Sequence, residues 1–259
     1  MKIKIAILEN ILVTTALSLL MSTVAAGGQT IITHLPYKIT VPGNYSLLVN
    51  YTGSAGKLGN DLNSGAIEIN ANNVILDLNG ANIVTPFIAI FSNSTSNITI
   101  KNGSLTANAR TSELIFVKNA VNISIQNVQM NAVGAGIGGT YNGIGAGSQG
   151  SATAITGYYN NGFAITHNMI SQIGLGLWLW ECQGGVVAEN VINQAIARAV
   201  VSTGGPTGNN LFKNNIINGG NSDGVVMNLG SGEEYVGNAI LGLPGDTTPY
   251  EGGTNIAGQ

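Results

Sequence analysis

Residues 186–193 read VVAENVIN, and repeated variants of this stretch decide the fold. Each variant places an asparagine just before a short apolar pair or triplet. The others are ILDLNGANI at 75–83, ITIKNGSL at 98–105, ISIQNVQM at 123–130, AITHNMIS at 164–171, LFKNNIIN at 211–218 and YVGNAILG at 235–242. Their asparagines are Asn79, Asn102, Asn127, Asn168, Asn190, Asn215 and Asn238. Successive asparagines are 23, 25, 41, 22, 25 and 23 residues apart, so one interval stands out from a regular period.

A period of 22 to 25 residues, with short β-branched runs and no helical pattern, predicts one coil of a β-helix per repeat. A leucine-rich repeat has a similar period but requires a leucine framework, which is missing. We therefore predict an all-β fold, a single-stranded right-handed parallel β-helix of about seven coils of 22–25 residues. Because coils stack about 4.8 Å apart, we expect the seven asparagines to line one corner of the solenoid.

The repeat also predicts the boundaries along the chain. The β-helix is expected over 65–240, after an N-terminal strand or cap segment at 27–64 and before a C-terminal cover at 241–259. The long interval coincides with a glycine-rich stretch near 134–152. We interpret this stretch as a loop that leaves the helix, with an extra, degenerate coil as the alternative.

Residues 1–26 have the pattern of a secretory signal peptide, with Lys2 and Lys4 before an apolar run and small residues at Ala25 and Ala26. A permanent anchor is the alternative, but Glu9 interrupts the run. We expect the mature chain to be secreted, periplasmic or on the cell surface, with no membrane partner after cleavage.

Composition excludes one class of partner. Charged residues make up 8% of the chain, and removing Lys2, Lys4 and Glu9 leaves seven basic and eleven acidic residues, a net charge of −4. Nucleic acid binding requires a basic surface, so we expect no nucleic acid partner. Cys182 is the only cysteine, so no intrachain disulfide can form.

The segments ITVPGNYSLL at 39–48 and GAIEINANNVILDLNGANI at 65–83 resemble the opening of bacterial exported proteins of the pectate-lyase-like, right-handed β-helix superfamily. The resemblance covers about residues 38–240. It implies a polysaccharide ligand, since the superfamily includes lyases, hydrolases, epimerases and esterases. The sequence lacks the NTD, GHG and RIK motifs of galacturonan hydrolases and the YG-DPH motif of alginate epimerases. It also lacks the carboxylate cluster of a calcium-dependent uronate lyase, so no metal or other cofactor is expected.

Two groups of residues are candidates for catalysis. His167 and Glu189 both directly precede an asparagine of the repeat, so their Cα atoms should lie about 5 Å apart on consecutive coils. Such a pair could exchange protons as general acid and base, although a solvated contact is the commoner outcome. Glu181 and Asp223 are candidate carboxylates for hydrolysis, with an ordinary turn position as the alternative for each.

The first strand of each coil predicts a ligand-binding face. In GLWLWE at 176–181, the leucines match the inward isoleucines of GAIEIN at 65–70, so Trp178 and Trp180 should point outward. The same alternation places Glu68, Phe91, Phe116, Val201 and Val226 in the row of Trp178, and Asn70, Lys118, Thr203 and Asn228 in the row of Trp180. We expect Trp178, Trp180, Phe116 and Lys118 to bind the ligand.

Three functions are compatible with these observations. The first is a secreted β-helix protein that binds polysaccharide on its first-strand face. The second is a polysaccharide lyase, hydrolase or epimerase with a non-standard site, so whether the chain is an enzyme stays open. The third is a structural or adhesive surface solenoid.

Overall fold

The computed structural model describes residues 28–53, 64–110, 112–134, 152–195, 198–203, 208–218, 227–241, 250–251 and 254–255. These ranges contain 25 strands and no α-helix. No helix long and apolar enough to cross a membrane is found in them. The short strands reflect the β-branched and asparagine-rich repeats of the sequence.

Nine strands form one sheet, which we call the first sheet, with each strand paired in parallel to the next. They are β2 (Tyr37–Ile39), β5 (Ile67–Ile69), β8 (Ile88–Asn93), β10 (Glu113–Lys118), β12 (Thr153–Tyr158), β15 (Leu175–Trp180), β18 (Arg198–Thr203), β21 (Met227–Leu229) and β24 (Tyr250–Glu251). Each of these strands marks one coil.

The other 16 strands form a second sheet that bends around the coil, and we call its two parts the second and third faces. The second face contains β1 (Thr30–Ile32), β3 (Gly43–Leu47), β6 (Val74–Asp77), β9 (Ser96–Ala107), β11 (Val121–Ala132), β13 (Asn161–Thr166), β16 (Val186–Ala188), β19 (Leu211–Lys213), β22 (Glu234–Val236) and β25 (Thr254–Asn255). The third face contains β4 (Tyr51–Thr52), β7 (Asn82–Thr85), β14 (Met169–Ser171), β17 (Val191–Asn193), β20 (Ile216–Asn218) and β23 (Ala239–Leu241). The strands β9 and β11 are long enough to run across both faces.

The fold is thus the right-handed parallel β-helix that the repeat predicted. Its inside is filled by one apolar cluster that runs along the axis, with side chains such as Ile67, Leu76, Ile100, Ile125 and Leu177 almost fully buried. The seven coils that carry the repeated asparagine are all present, and β2 and β24 add a first-sheet strand at each end. The segment before residue 65 therefore contributes strands β1 to β4 to the same two sheets.

The long interval is an insertion between two coils that are direct neighbours in the stack. Strand β10 pairs directly with β12, with Phe116 opposite Thr156, and β11 pairs directly with β13 and β14. No coil can lie between strands that are hydrogen-bonded to each other. Residues 135–151, which carry most of the glycine-rich stretch, lie outside the described residues.

The prediction of a single asparagine ladder is wrong by one position. Asn168, Asn190, Asn215 and Asn238 do form a ladder at the corner between the second and third faces, which we call the asparagine corner. However, Gln126 pairs with Thr166 and Gln129 with Met169, so Asn127 lies beside His167 and not beside Asn168.

Two rows therefore run along this corner. The outer row consists of exposed residues with positive φ, namely Asn102 (59°), Asn127 (55°), His167 (57°), Glu189 (59°), Asn214 (53°) and Gly237 (61°). The inner row contains Gly103 and Val128 in the early coils and the ladder asparagines in the later ones. Asn79 lies in a turn that is two residues longer, since Asp77 pairs with Lys101 and Asn82 with Ser104.

Candidate functional site

The outer side of the first sheet carries the residues that the sequence singled out for binding. Leu177 and Leu179 belong to the inner core, whereas Trp178 packs with Leu175 and Val201 in a separate cluster on the other side of the strand. The predicted alternation is therefore confirmed. The strand pairing aligns Glu68, Phe91, Phe116, Thr156, Trp178, Val201 and Asn228 in one row.

One assignment in the predicted rows is wrong. Asn228 pairs with Val201 and so belongs to the row of Trp178, not to the row of Trp180. The error is two residues, which alternation cannot detect because residues two apart point to the same side. Val226 lies outside the described residues.

Most of the row that contains Trp178 is buried. Trp178 is 2% exposed and Phe116 is 7% exposed, so neither presents its ring face to solvent. The rings contact one another along the axis: Phe91 lies 5.7 Å from Phe116, Phe116 lies 5.7 Å from Tyr158, and Tyr158 lies 6.5 Å from Trp178, measured between ring centroids. Phe116 and Trp178 thus form an apolar base on this side of the sheet.

The neighbouring row is accessible. We call this row, together with its adjoining turn residues, the aromatic strip. Its members are Asn93, Lys118, Tyr158, Trp180, Tyr159 and Glu181. The first four are partly exposed and align on consecutive strands β8, β10, β12 and β15. The last two follow β12 and β15 at the turns, where each has a positive φ, 54° for Tyr159 and 48° for Glu181. Both side chains are exposed there.

Polar contacts connect the aromatic strip to its turns. Trp180 donates its Nε1 hydrogen to Oε1 of Glu181 at 3.2 Å, and Asn119 donates its amide hydrogen to Oδ1 of Asn93 at 3.2 Å. The rings of Tyr158 and Tyr159 lie 6.2 Å apart. The strip therefore combines exposed ring surface with amide, amine and carboxylate groups along one line.

Three buried polar atoms lie below the aromatic strip, on the same outer side of the first sheet. They are Oε2 of Glu113, Oγ1 of Thr156 and Nε1 of Trp178, and none has a hydrogen-bond partner in the described part of the chain. Burial raises the pKa of Glu113 from 4.5 to about 7, because the charged carboxylate loses its hydration there. This carboxyl group accordingly carries a proton far more readily than a surface glutamate.

Of the candidate catalytic residues that the structure describes, Glu181 lies apart from the His167–Glu189 pair. His167 and Glu189 are adjacent, as predicted, with Nε2 of His167 2.6 Å from Oε2 of Glu189, but both are about half exposed at the asparagine corner. Glu181 lies at the turn after β15, and strand β16 separates it from Glu189. Asp223 lies outside the described residues. In the described part of the chain, no three His, Cys, Asp or Glu side chains are placed to hold a metal ion.

Sequence reasoning missed Tyr158, Tyr159 and Glu113. Tyr158 and Tyr159 lie at the end of the first strand after the insertion, which the 41-residue interval hides, whereas Glu113 begins β10 in a coil with the regular spacing. The signal was present, since TAITGYYN at 153–160 has the same apolar alternation before a polar turn as ELIFVKNA at 113–120.

No family model and no curated protein matches this chain. Among solved structures, it is similar to an alginate lyase from Paenibacillus sp. str. FPU-7, at 10% identity with a TM-score of 0.45, over 89% of this chain and 90% of that one. It is also similar to a hyperthermoactive exopolygalacturonase from Thermotoga maritima, at 9% identity with a TM-score of 0.36, over 79% of this chain and 68% of that one.

Proposed function

We propose that this protein binds a polysaccharide along the aromatic strip of its first sheet. The observation that carries the proposal is the position of Tyr158 and Trp180, which are partly exposed on adjacent strands about 4.8 Å apart. Aromatic rings stack on the apolar face of a sugar, and polar neighbours then fix its hydroxyl groups. Lys118 and Asn93 extend the row in the same direction, so an extended glycan can lie parallel to the solenoid axis.

Among the described residues, the positions of the carboxylates favour binding over catalysis. Glu181 accepts a hydrogen bond from the ring nitrogen of Trp180, and the His167–Glu189 pair lies at another corner. A glycosidase needs two carboxyl groups about 5 to 9.5 Å apart across one sugar bond. We also propose that the chain acts outside the cytoplasm, because of the signal-peptide pattern at residues 1–26.

Affinity electrophoresis in gels containing polygalacturonate, alginate or a neutral glucan tests the proposal. We expect at least one polymer to retard the protein and Trp180→Ala or Tyr158→Ala to abolish most of the retardation, because each removes a stacking ring. Tyr158→Phe keeps the ring and should keep most of the binding. The control is Met169→Ala, which removes an exposed apolar side chain, 51% accessible, from the third face.

Two outcomes would contradict the proposal. One is retardation that survives both ring deletions in a folded protein. The other is the appearance of unsaturated or new reducing ends during incubation with the polymer, which would assign the strip to an enzyme.

A further inference from the structure

A groove of about 940 Å³ lies on the outer side of the second face, away from the aromatic strip. It crosses the neighbouring strands β3, β6, β9, β11 and β13, a length of about 19 Å at the strand spacing of about 4.8 Å. Its floor is one outward-pointing row in register, made of Asn44, Ile75, Thr99, Ser124 and Ala164. The floor is therefore straight and parallel to the solenoid axis.

One wall of the groove is a row of asparagine amides. Asn97 donates its side-chain amide hydrogen to Oδ1 of Asn73 at 2.8 Å, and Asn122 donates in the same way to Oδ1 of Asn97 at 3.1 Å. All three have positive φ, 56° to 57°, and exposed side chains. A primary amide has two N–H donors and an oxygen with two lone pairs, so the middle amide retains a donor and an acceptor site beyond the row.

The amide row ends at glycines. Gly162 and Gly184 hold the next two positions, with φ of 66° and 63°. A Cβ atom at Gly162 would lie 2.9 Å from Oδ1 of Asn122, closer than two such atoms can approach. The glycines therefore leave that oxygen uncrowded and keep the end of the groove open.

No charged side chain is found among the described residues that line the groove. An anionic polymer would find no cation there, and a purely apolar ligand would leave the amides and the hydroxyls of Thr99 and Ser124 without partners. A groove of this size that combines apolar side chains with a few aligned polar groups is typical of a small-molecule site. The lining thus matches an uncharged, hydroxyl-rich chain.

We propose that this groove is a second binding site, specific for a neutral oligosaccharide, that works independently of the aromatic strip. The two sites lie on different sheets, so one molecule can hold two glycan chains at once. The inference does not depend on the proposed function of the strip.

Isothermal titration of the protein with maltohexaose, cellohexaose and mannohexaose tests it. We expect at least one of these neutral probes to bind and Ser124→Trp, which fills the middle of the floor, to abolish the binding. Asn97→Gly should weaken it roughly 2- to 10-fold through lost hydrogen bonds, while preserving the backbone, since glycine occupies the same row at Gly162. The matched control is Asn127→Gly, an exposed asparagine with φ of 55° at the asparagine corner, which should bind as the parent does.

Trp180→Ala separates this inference from the proposed function. Binding of the neutral probe that survives Trp180→Ala and disappears in Ser124→Trp supports a site in the groove. Binding that shows the opposite dependence assigns the probe to the strip and overturns the inference. Failure of all three probes to bind also overturns it.

Discussion

At the scale of single residues, asparagine has two separate roles at adjacent positions of the asparagine corner. In the outer row, Asn102 and Asn127 supply the left-handed backbone that the sharp bend requires, and their side chains are exposed. In the inner row, Asn190 is fully buried, and its side-chain amide supplies hydrogen-bond partners to backbone groups at the corner. Its Nδ2 group donates to the carbonyl of Ile165 and to Oδ1 of Asn215, and its Oδ1 accepts from the backbone N–H of Asn168.

Replacing two consecutive residues should separate these roles. Asn190→Ala removes those hydrogen bonds and leaves buried backbone groups without partners. We therefore expect a loss of about 3 kcal/mol in the free energy of unfolding. Glu189→Gln alters only the half-exposed contact with His167 and should change the free energy of unfolding by less than about 1 kcal/mol. Urea denaturation of both variants measures the difference. Equal effects would contradict the two-row description of the corner.

At the scale of elements, the period of the repeat was enough to predict the strands and their stacking, because each coil repeats the same apolar alternation. The position within the corner could not be predicted in this way. In ITIKNGSL the first corner residue is Asn102, whereas in AITHNMIS it is His167 and the asparagine comes second. Aligning the asparagines themselves therefore shifts the later coils by one residue, and only the strand pairing shows it.

The candidate site was also predicted only in part, because the sequence pattern again lacks some of the information that is needed. Alternation gave the outward direction of Trp178 and Trp180, but exposure depends on what lies above the strand, which the pattern does not contain. Trp178 is buried and Trp180 is partly exposed, although their local sequences are equivalent. Tyr158 escaped notice because the insertion breaks the period just before its strand, and Glu113 because the pattern does not show its burial.

Packing between successive coils predicts a sharp effect at Gly103. A Cβ atom there would lie 2.3 Å from Cβ of Leu78 and 3.1 Å from the carbonyl oxygen of Ala81. Gly103→Ala should therefore push two coils apart and lower the free energy of unfolding by about 1 to 3 kcal/mol. Thermal unfolding followed by circular dichroism measures the loss, with Ser104→Ala on the same strand as the control. A variant as stable as the parent would mean that the coils are spaced more widely at this corner than the structure has them.

At the scale of the whole molecule, stability rests on a continuous core with little help from charge. Charged residues make up 8% of the chain, and the three ion pairs between described residues lie at or near the surface. Besides Glu68, which pairs with Lys38, two acidic side chains are nonetheless buried, Glu113 on the outer side of the first sheet and Glu233 at the turn before β22. The carboxylate of Glu233 accepts hydrogen bonds from Ser202 and Asn210, which offset only part of the cost of its burial.

These two carboxyl groups should make the fold more stable in mild acid than at neutral pH. Burial raises the pKa of Glu113 from 4.5 to about 7 and raises the pKa of Glu233 as well. A carboxyl group whose pKa is higher in the folded chain binds more protons there than in the unfolded chain, so stability falls as the pH rises. For Glu113 the fall begins near 4.5, levels off above about 7, and amounts to about 3 kcal/mol.

Urea denaturation of the parent, Glu113→Gln and Glu234→Gln at about pH 5 and about pH 8 measures this effect. Glutamine is close to the protonated carboxyl group in shape and stays neutral, so Glu113→Gln should be about as stable as the parent in acid and more stable at the higher pH. Glu234 is exposed, and Glu234→Gln should follow the parent at both values. If the parent and Glu113→Gln lost stability equally between the two conditions, the carboxyl group of Glu113 would have to be ionised and solvated, and the buried position described for it would be wrong.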